Sequence, residues 1–171
     1  MSMLAPARSQ WREGLRRSIP ALTVVLAILV MALPTPLAWS VMPHLALLLV
    51  LIWASIQPRF MPVWLAFLLG LLFDMLVGLP IGHAALIFSA GVAAVRLAEA
   101  WVDGHSLMLD WIFVGTLILL AQLLSIQILE LTGHMAALVP MLTQAALTIL
   151  AFPIMVVLAA RIQRRLVDVA G

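Results

Sequence analysis

The chain alternates long uncharged apolar stretches with short polar breaks. Ser18 to Pro58 carries no charge, Phe60 to Val95 carries only Asp74, and Trp111 to Leu129 and Leu131 to Ala160 are uncharged. A helix crosses hydrocarbon with about 20 apolar residues, rising about 1.5 Å per residue. The first stretch is about twice too long for one crossing, so it must double back, and Pro34, Pro36 and Pro43 mark where. The pattern predicts six helices. The first runs from about Ile19 to Leu33. The second, Met42 to Gln57, enters with Pro43 in its first turn and stops before Pro58. The third, Phe60 to Val77, has Pro62 in its first turn. Gly78-Leu79-Pro80 breaks the pattern before the fourth, Ile81 to Ala98. A polar connection with an Asp103-Gly104-His105 turn leads to the fifth, Trp111 to Leu131, and Thr132-Gly133-His134 turns the chain into the sixth, Ala137 to Arg161. Pro153, inside the sixth, should kink it and release the carbonyl of Ile149 for a neighbouring group to satisfy.

Composition turns this pattern into a class. Of 171 residues, 65% are hydrophobic and 9% charged, against about one half and one quarter in soluble domains. The expected fold is all-α, a polytopic membrane protein of about six transmembrane helices. Its first helix follows an arginine-bearing head, as in a signal peptide, but ends in Leu33-Pro34-Thr35-Pro36 without a small-residue cleavage site. More apolar segments follow, so it reads as a signal anchor. All nine basic residues are arginine, too few and too scattered for a nucleic-acid surface. The absence of cysteine excludes disulfides and thiol chemistry.

The arginines set the threading, because cytoplasmic loops carry the positive excess. Six spans place Arg8, Arg12, Arg16 and Arg17 of the head, Arg59, Arg96, and Arg161, Arg164 and Arg165 of the tail on one side, which is nine of nine. An odd number of spans would separate head from tail. The expected organisation is a cytoplasmic head over 1–17, a transmembrane domain over 18–161 and a cytoplasmic basic tail over 162–171. Trp11, Trp53, Trp64, Trp101 and Trp111 fall near the same face, at headgroup depth. The tail arginines suit anionic headgroups.

Asp74 is the most informative position, because an ionisable group within a span costs roughly 2.5 to 3.5 kcal/mol even on the lenient insertion scale. It stands just before Gly78-Leu79-Pro80-Ile81-Gly82, where the fourth helix presents unpaired N–H groups. The carboxylate is expected to accept hydrogen bonds there and pin the two helices. A proton or cation site is the rival reading, but no second acid lies at that depth. Gly70, Asp74 and Gly78 recur every four residues, permitting close backbone approach. In the fourth helix Ala90, Ala94 and Ala98 recur likewise, suggesting a centrally packed helix or a partner face. Gln122, Ser125 and Gln127 could hydrogen-bond with Thr143, Gln144 and Thr148 across the last two helices. Glu130 reads as a solvated interfacial acid. His44, His83, His105 and His134 sit at span ends or in loops, without metal-ligand spacing. There is no H-E-x-x-H, G-x-S-x-G or Walker loop and no pair of intramembrane carboxylates. The expectation is of no catalytic residue, metal or cofactor.

Met61 to Leu97, MPVWLAFLLGLLFDMLVGLPIGHAALIFSAGVAAVRL, resembles the signature stretch of the MreD family of bacterial rod-shape-determining proteins, through Gly70, Asp74, Gly78 and Gly82. Pro43 to Leu49 ahead of Pro58-Arg59, and a last apolar helix ending in a basic run, also look like that family. The resemblance implies a non-catalytic inner-membrane subunit of the cell-wall elongation complex. It would bind the single-span protein MreC and associate with the RodA-type glycosyltransferase and its transpeptidase partner, with an indirect link to the MreB cytoskeleton. It further implies an architecture similar to the six-helix substrate-binding components of energy-coupling factor transporters, without their vitamin ligand. From the residues alone, a small-solute binding subunit or transporter is the competing class. A solute site needs convergent polar groups around a cavity, whereas Asp74 is a lone buried charge. The threading is open to a direct check: cysteines placed at Arg59 or Arg96 should resist a membrane-impermeant maleimide added from the periplasmic side, and labelling there would overturn it.

Overall fold

A computed structural model describes residues 5–33, 42–100, 107–131, 133 and 138–168; the side chains of 5–17, 107 and 165–168 lie outside the description. The expected bends at 34–36, 103–105 and most of 132–134 also fall outside it. Six helices and no strands are found among the described residues: α1 Ala5–Ala32, α2 Leu45–Ile56, α3 Val63–Val77, α4 His83–Glu99, α5 Leu107–Leu131 and α6 Leu138–Asp168.

The boundaries differ from the sequence expectation where local chemistry overrides the apolar pattern. α1 starts in the polar head, whose Ala, Arg, Gln and Glu residues are good helix formers. α2 starts three residues later than expected because His44 caps it: its Nδ1 accepts the N–H of Leu47 at 3.2 Å, leaving Pro43 outside the helix. Pro62 likewise caps α3 and is not within its first turn. α5 starts at Leu107, with Asp110 in its first turn favouring the positive helix end. α6 continues through Arg161, Arg164 and Arg165 to Asp168, so the basic tail begins as helix. Windows within Met108–Leu131 and Leu138–Arg164 are long and apolar enough to cross a membrane, while Ser18–Ala32, Leu45–Ile56 and Val63–Val77 are apolar but shorter.

α2 and α4 each pack on three other helices, and α2 is the more fully buried of the two. Nine consecutive α2 residues, Ala46 to Ala54, are buried, as befits a helix that is apolar on every side. α2 packs on α1, α4 and α6; α3 bridges α1 to α4, and α5 bridges α4 to α6. Leu48, Leu51 and Ile52 join Ile28, Phe88, Val92 and Ile118 in one core. The Trp53 indole of α2 is buried and donates to Thr23 Oγ1 at 2.9 Å, so this ring lies in the core and not in a headgroup layer. The outer helices show the reverse pattern, with Leu22, Leu26, Leu68, Leu120, Leu123, Leu150 and Ile154 exposed.

Contacts fix the two ends. Trp53 with Thr23 joins the C-terminal end of α2 to the second half of α1, and Arg96 Nη2 donates to the carbonyls of Pro58 (2.9 Å) and Met61 (3.4 Å), bringing the end of α4 to the α2–α3 turn. At the opposite end the His44 N–H donates to Thr148 Oγ1 at 2.8 Å, which itself donates to Gln144 O. His44 also stacks on Phe73 at 5.1 Å.

Pro153 lies inside α6 and has no N–H to offer the Ile149 carbonyl, and Trp111 Nε1 donates to that carbonyl at 2.9 Å. Trp111→Phe would orphan that carbonyl and should lower stability by about 1–3 kcal/mol in thermal unfolding of the detergent-solubilised protein. Pro153→Ala restores an N–H donor within α6, so the loss should shrink sharply in the double variant; equal losses in both backgrounds would refute the repair.

Candidate functional site at the junction of the third and fourth helices

The junction from Asp74 to Ala85 is ordered by two glycines. Gly78 ends α3 at φ 76° and Gly82 caps α4 at φ 97°, left-handed conformations that strain any residue with a Cβ. Neither would meet an obstacle there, so their role is backbone shape. Gly70 differs: a Cβ on it would lie 2.4 Å from the Ala85 Cα and 2.6 Å from the Ala84 carbonyl carbon. Here α3 crosses α4 at backbone contact. The Gly78 to Gly82 segment is a turn, not a helix-packing face.

Asp74, 1% exposed, serves both helix ends. Its carbonyl accepts the N–H groups of Gly78 (3.0 Å) and Leu79 (3.1 Å), closing α3. Its carboxylate accepts Gly82 N–H (3.0 Å) and Ala85 N–H (3.4 Å) on Oδ2, and Ala84 N–H (2.8 Å) on Oδ1. His83 N–H donates to Pro80 O at 3.0 Å. The four N–H groups that open α4 are thereby all satisfied. The His83 ring is also buried, with Nδ1 3.9 Å from Asp74 Oδ1 and no hydrogen-bond partner on either ring nitrogen. Sequence reasoning gave His83 only a place at a span end; its seat beside the carboxylate follows from being the first residue of α4.

The alanine row of α4 lies elsewhere. Ala90 is exposed, and Ala94 and Ala98 are half-buried. Ala90, Gly91 and Ala94 form one wall of an apolar groove of about 210 Å³, with Leu117, Leu120, Ala121 and Leu124 of α5 opposite and Leu47 and Leu51 of α2 as its floor. A Cβ on Gly91 would lie 2.9 Å from Leu51 Cδ2, so α2 comes close here too. Ala98, two turns beyond Gly91, is not part of the lining. Of the expected polar seam, Gln122 crosses to α6, donating to Met141 O (2.8 Å) and Gln144 Oε1 (3.4 Å). Ser125 bonds within its own helix, Gln127 is exposed, Thr143 bonds to Val139 O and Pro140 O, and Thr148 reaches α2 instead. Arg59, Arg161 and Arg164 are exposed, as is Glu130. Arg16, Arg17 and Arg165 have side chains outside the description.

Among the described residues no group of three or more His, Asp or Glu is placed to hold a metal. The Asp74 site is a hydrogen-bonded clasp. Asp74→Leu strands three buried N–H groups and should cost on the order of 3–5 kcal/mol of stability, with Asp74→Asn losing less because one amide oxygen still accepts. Unfolding of the purified protein in micelles gives the comparison, and a leucine variant as stable as the parent would eliminate the clasp.

The family model described as rod shape-determining protein MreD matches residues 12–166. Comparison with curated proteins and with solved structures gives no match, so the expected likeness to energy-coupling factor components gains no support there. The MreD family consists of membrane proteins that determine rod shape, and it is not a known enzyme family. With nearly the whole bundle inside the match, including Gly70, Asp74, Gly78 and Gly82, the chain belongs to the MreD family.

Proposed function

We propose that this chain is a non-catalytic scaffold of the cell-wall elongation complex, a six-span inner-membrane bundle that receives the transmembrane helix of MreC in the α4–α5 groove. The family match over residues 12–166 carries the reading. In this reading the head over 1–17 and the tail over 162–171 are cytoplasmic, and 18–161 is the transmembrane domain. The exposed apolar side chains of the outer helices support immersion in lipid, and the positions of Arg59, Arg96 and Arg161 at one end of the bundle support this threading. The basic end faces MreB, reached through other subunits, and the complex includes the RodA-type glycosyltransferase and its transpeptidase.

The choice of groove rests on how helices associate in lipid. Hydrocarbon is as apolar as the helices, so close packing rather than hydrophobicity drives association, and small residues allow it. Ala90, Gly91 and Ala94 line an open groove, whereas Gly70 is already filled by α4. Neither the α4–α5 groove nor the one between α1 and α6 converges polar groups on a cavity, as a solute site requires. The Asp74 carboxylate is occupied by three N–H donors.

Photocrosslinkers at Ala90 or Ala94 should capture MreC in cells, while one at exposed Phe67 on α3 should not. Depletion should round the cells with nutrient uptake unchanged. An uptake defect in cells of normal shape would move the chain to the solute-binding class.

A further inference from the structure

The start of α2 hangs on one residue. The His44 N–H donates to Thr148 Oγ1 at 2.8 Å, and its carbonyl accepts the N–H of Leu48 at 3.0 Å. The ring closes the first turn, with Nδ1 accepting the N–H of Leu47 at 3.2 Å. An imidazole nitrogen accepts only while it carries no proton, so this cap exists only in the neutral ring with its hydrogen on Nε2.

The surroundings favour that neutral form. The half-buried ring stacks on Phe73 with centroids 5.1 Å apart and meets Phe88 edge-on at 6.0 Å. From α4, His83 stands close enough for its charge to act on His44. From α3 comes Asp74, the residue after Phe73, but its carboxylate already accepts three N–H groups and lies 3.9 Å from His83. Thr148 of α6 does not titrate, and α1 has no ionisable residue from Ser18 to Ala32. Protonating His44 in place would set an Nδ1–H against the Leu47 N–H, donor facing donor. Stacking of a cation on an aromatic face returns less than the desolvation of that cation takes. Opening the first turn frees the ring to take a proton as in water, at about pH 6.5 and below. The open form then holds a proton that the closed form excludes, so the closed turn loses stability as pH falls.

We propose that His44 is a proton-operated latch on the first turn of α2. Acid opens the turn, and Leu47, part of the floor of the α4–α5 groove, leaves its place there. The latch acts on the groove as a surface and requires no particular partner in it.

Hydrogen–deuterium exchange of the full chain in micelles, at about pH 7.5 and about pH 5 and corrected for intrinsic exchange, reads the latch. Protection of the peptide bearing Leu47 should fall at least about five-fold at the lower pH, the equivalent of one lost N-cap. His44→Asn caps with an oxygen that does not titrate, and should keep protection constant within about two-fold. His44→Ser makes the same comparison with a shorter cap, and His44→Ala should lower protection at both pH values. His83→Gln should leave the acid response in place. A response that persists in His44→Asn or His44→Ser, or disappears in His83→Gln, assigns the proton to the Asp74–His83 pair and overturns the proposal, as does a parent with no response. The absence of cysteine allows a bimane on Ala121→Cys, another lining residue of the groove. Its emission should shift over the same interval in the parent background and stay constant with His44→Asn; constant emission in the parent background while exchange rises would refute the coupling to the groove.

Discussion

In a hydrocarbon surround no water completes an unfinished hydrogen bond, so wherever a helix of this bundle stops, starts or breaks, another part of the chain must supply the missing partner. Asp74 is the fullest case. Carrying a carboxylate inside an apolar span costs roughly 2.5–3.5 kcal/mol. Each hydrogen bond from an amide to a charged acceptor returns about 1.5–3 kcal/mol, and the carboxylate has three. The balance is favourable only because Gly70 lets α4 approach to backbone contact and Gly78 and Gly82 take left-handed conformations that turn the chain back. The same rule explains Trp111 on the Ile149 carbonyl, Thr148 on the His44 N–H, and Arg96 on the Pro58 and Met61 carbonyls. Each repair joins two elements that the apolar core alone would leave free to slide. In lipid such polar contacts, with close packing, define the register of a bundle.

That rule also explains which parts of the arrangement were legible in the sequence. The Asp74 clasp was readable because a single acid in an otherwise uncharged stretch, followed by two glycines around a proline, leaves few ways to satisfy it. The open Ile149 carbonyl was readable because proline chemistry points to the residue four back. Its partner was not, since Trp111 lies 38 residues away and an indole near a span end reads equally well as an interfacial anchor. The same ambiguity misplaced Trp53, which is a core residue bonded to Thr23. The central helix was illegible for a different reason. α2 is apolar on all sides, so its sequence has no polar face to indicate what lies around it. Small residues drew attention to α4, yet part of its alanine row borders an open groove, because small side chains permit close approach without choosing the neighbour.

The position of α2 has a mechanical consequence. Leu45, Leu49 and Trp53 floor one groove, while Leu47 and Leu51 floor the other. Positions two apart on a helix point about 200° from each other, so the two floors are opposite faces of one helix. No lining residue is shared between the grooves. A ligand in one therefore does not sterically exclude a ligand in the other, and substitutions on α1 or α6 change one groove without altering the walls of its counterpart. The bundle thus carries two separate apolar grooves on opposite faces of one helix, one of them walled by the small residues Ala90, Gly91 and Ala94.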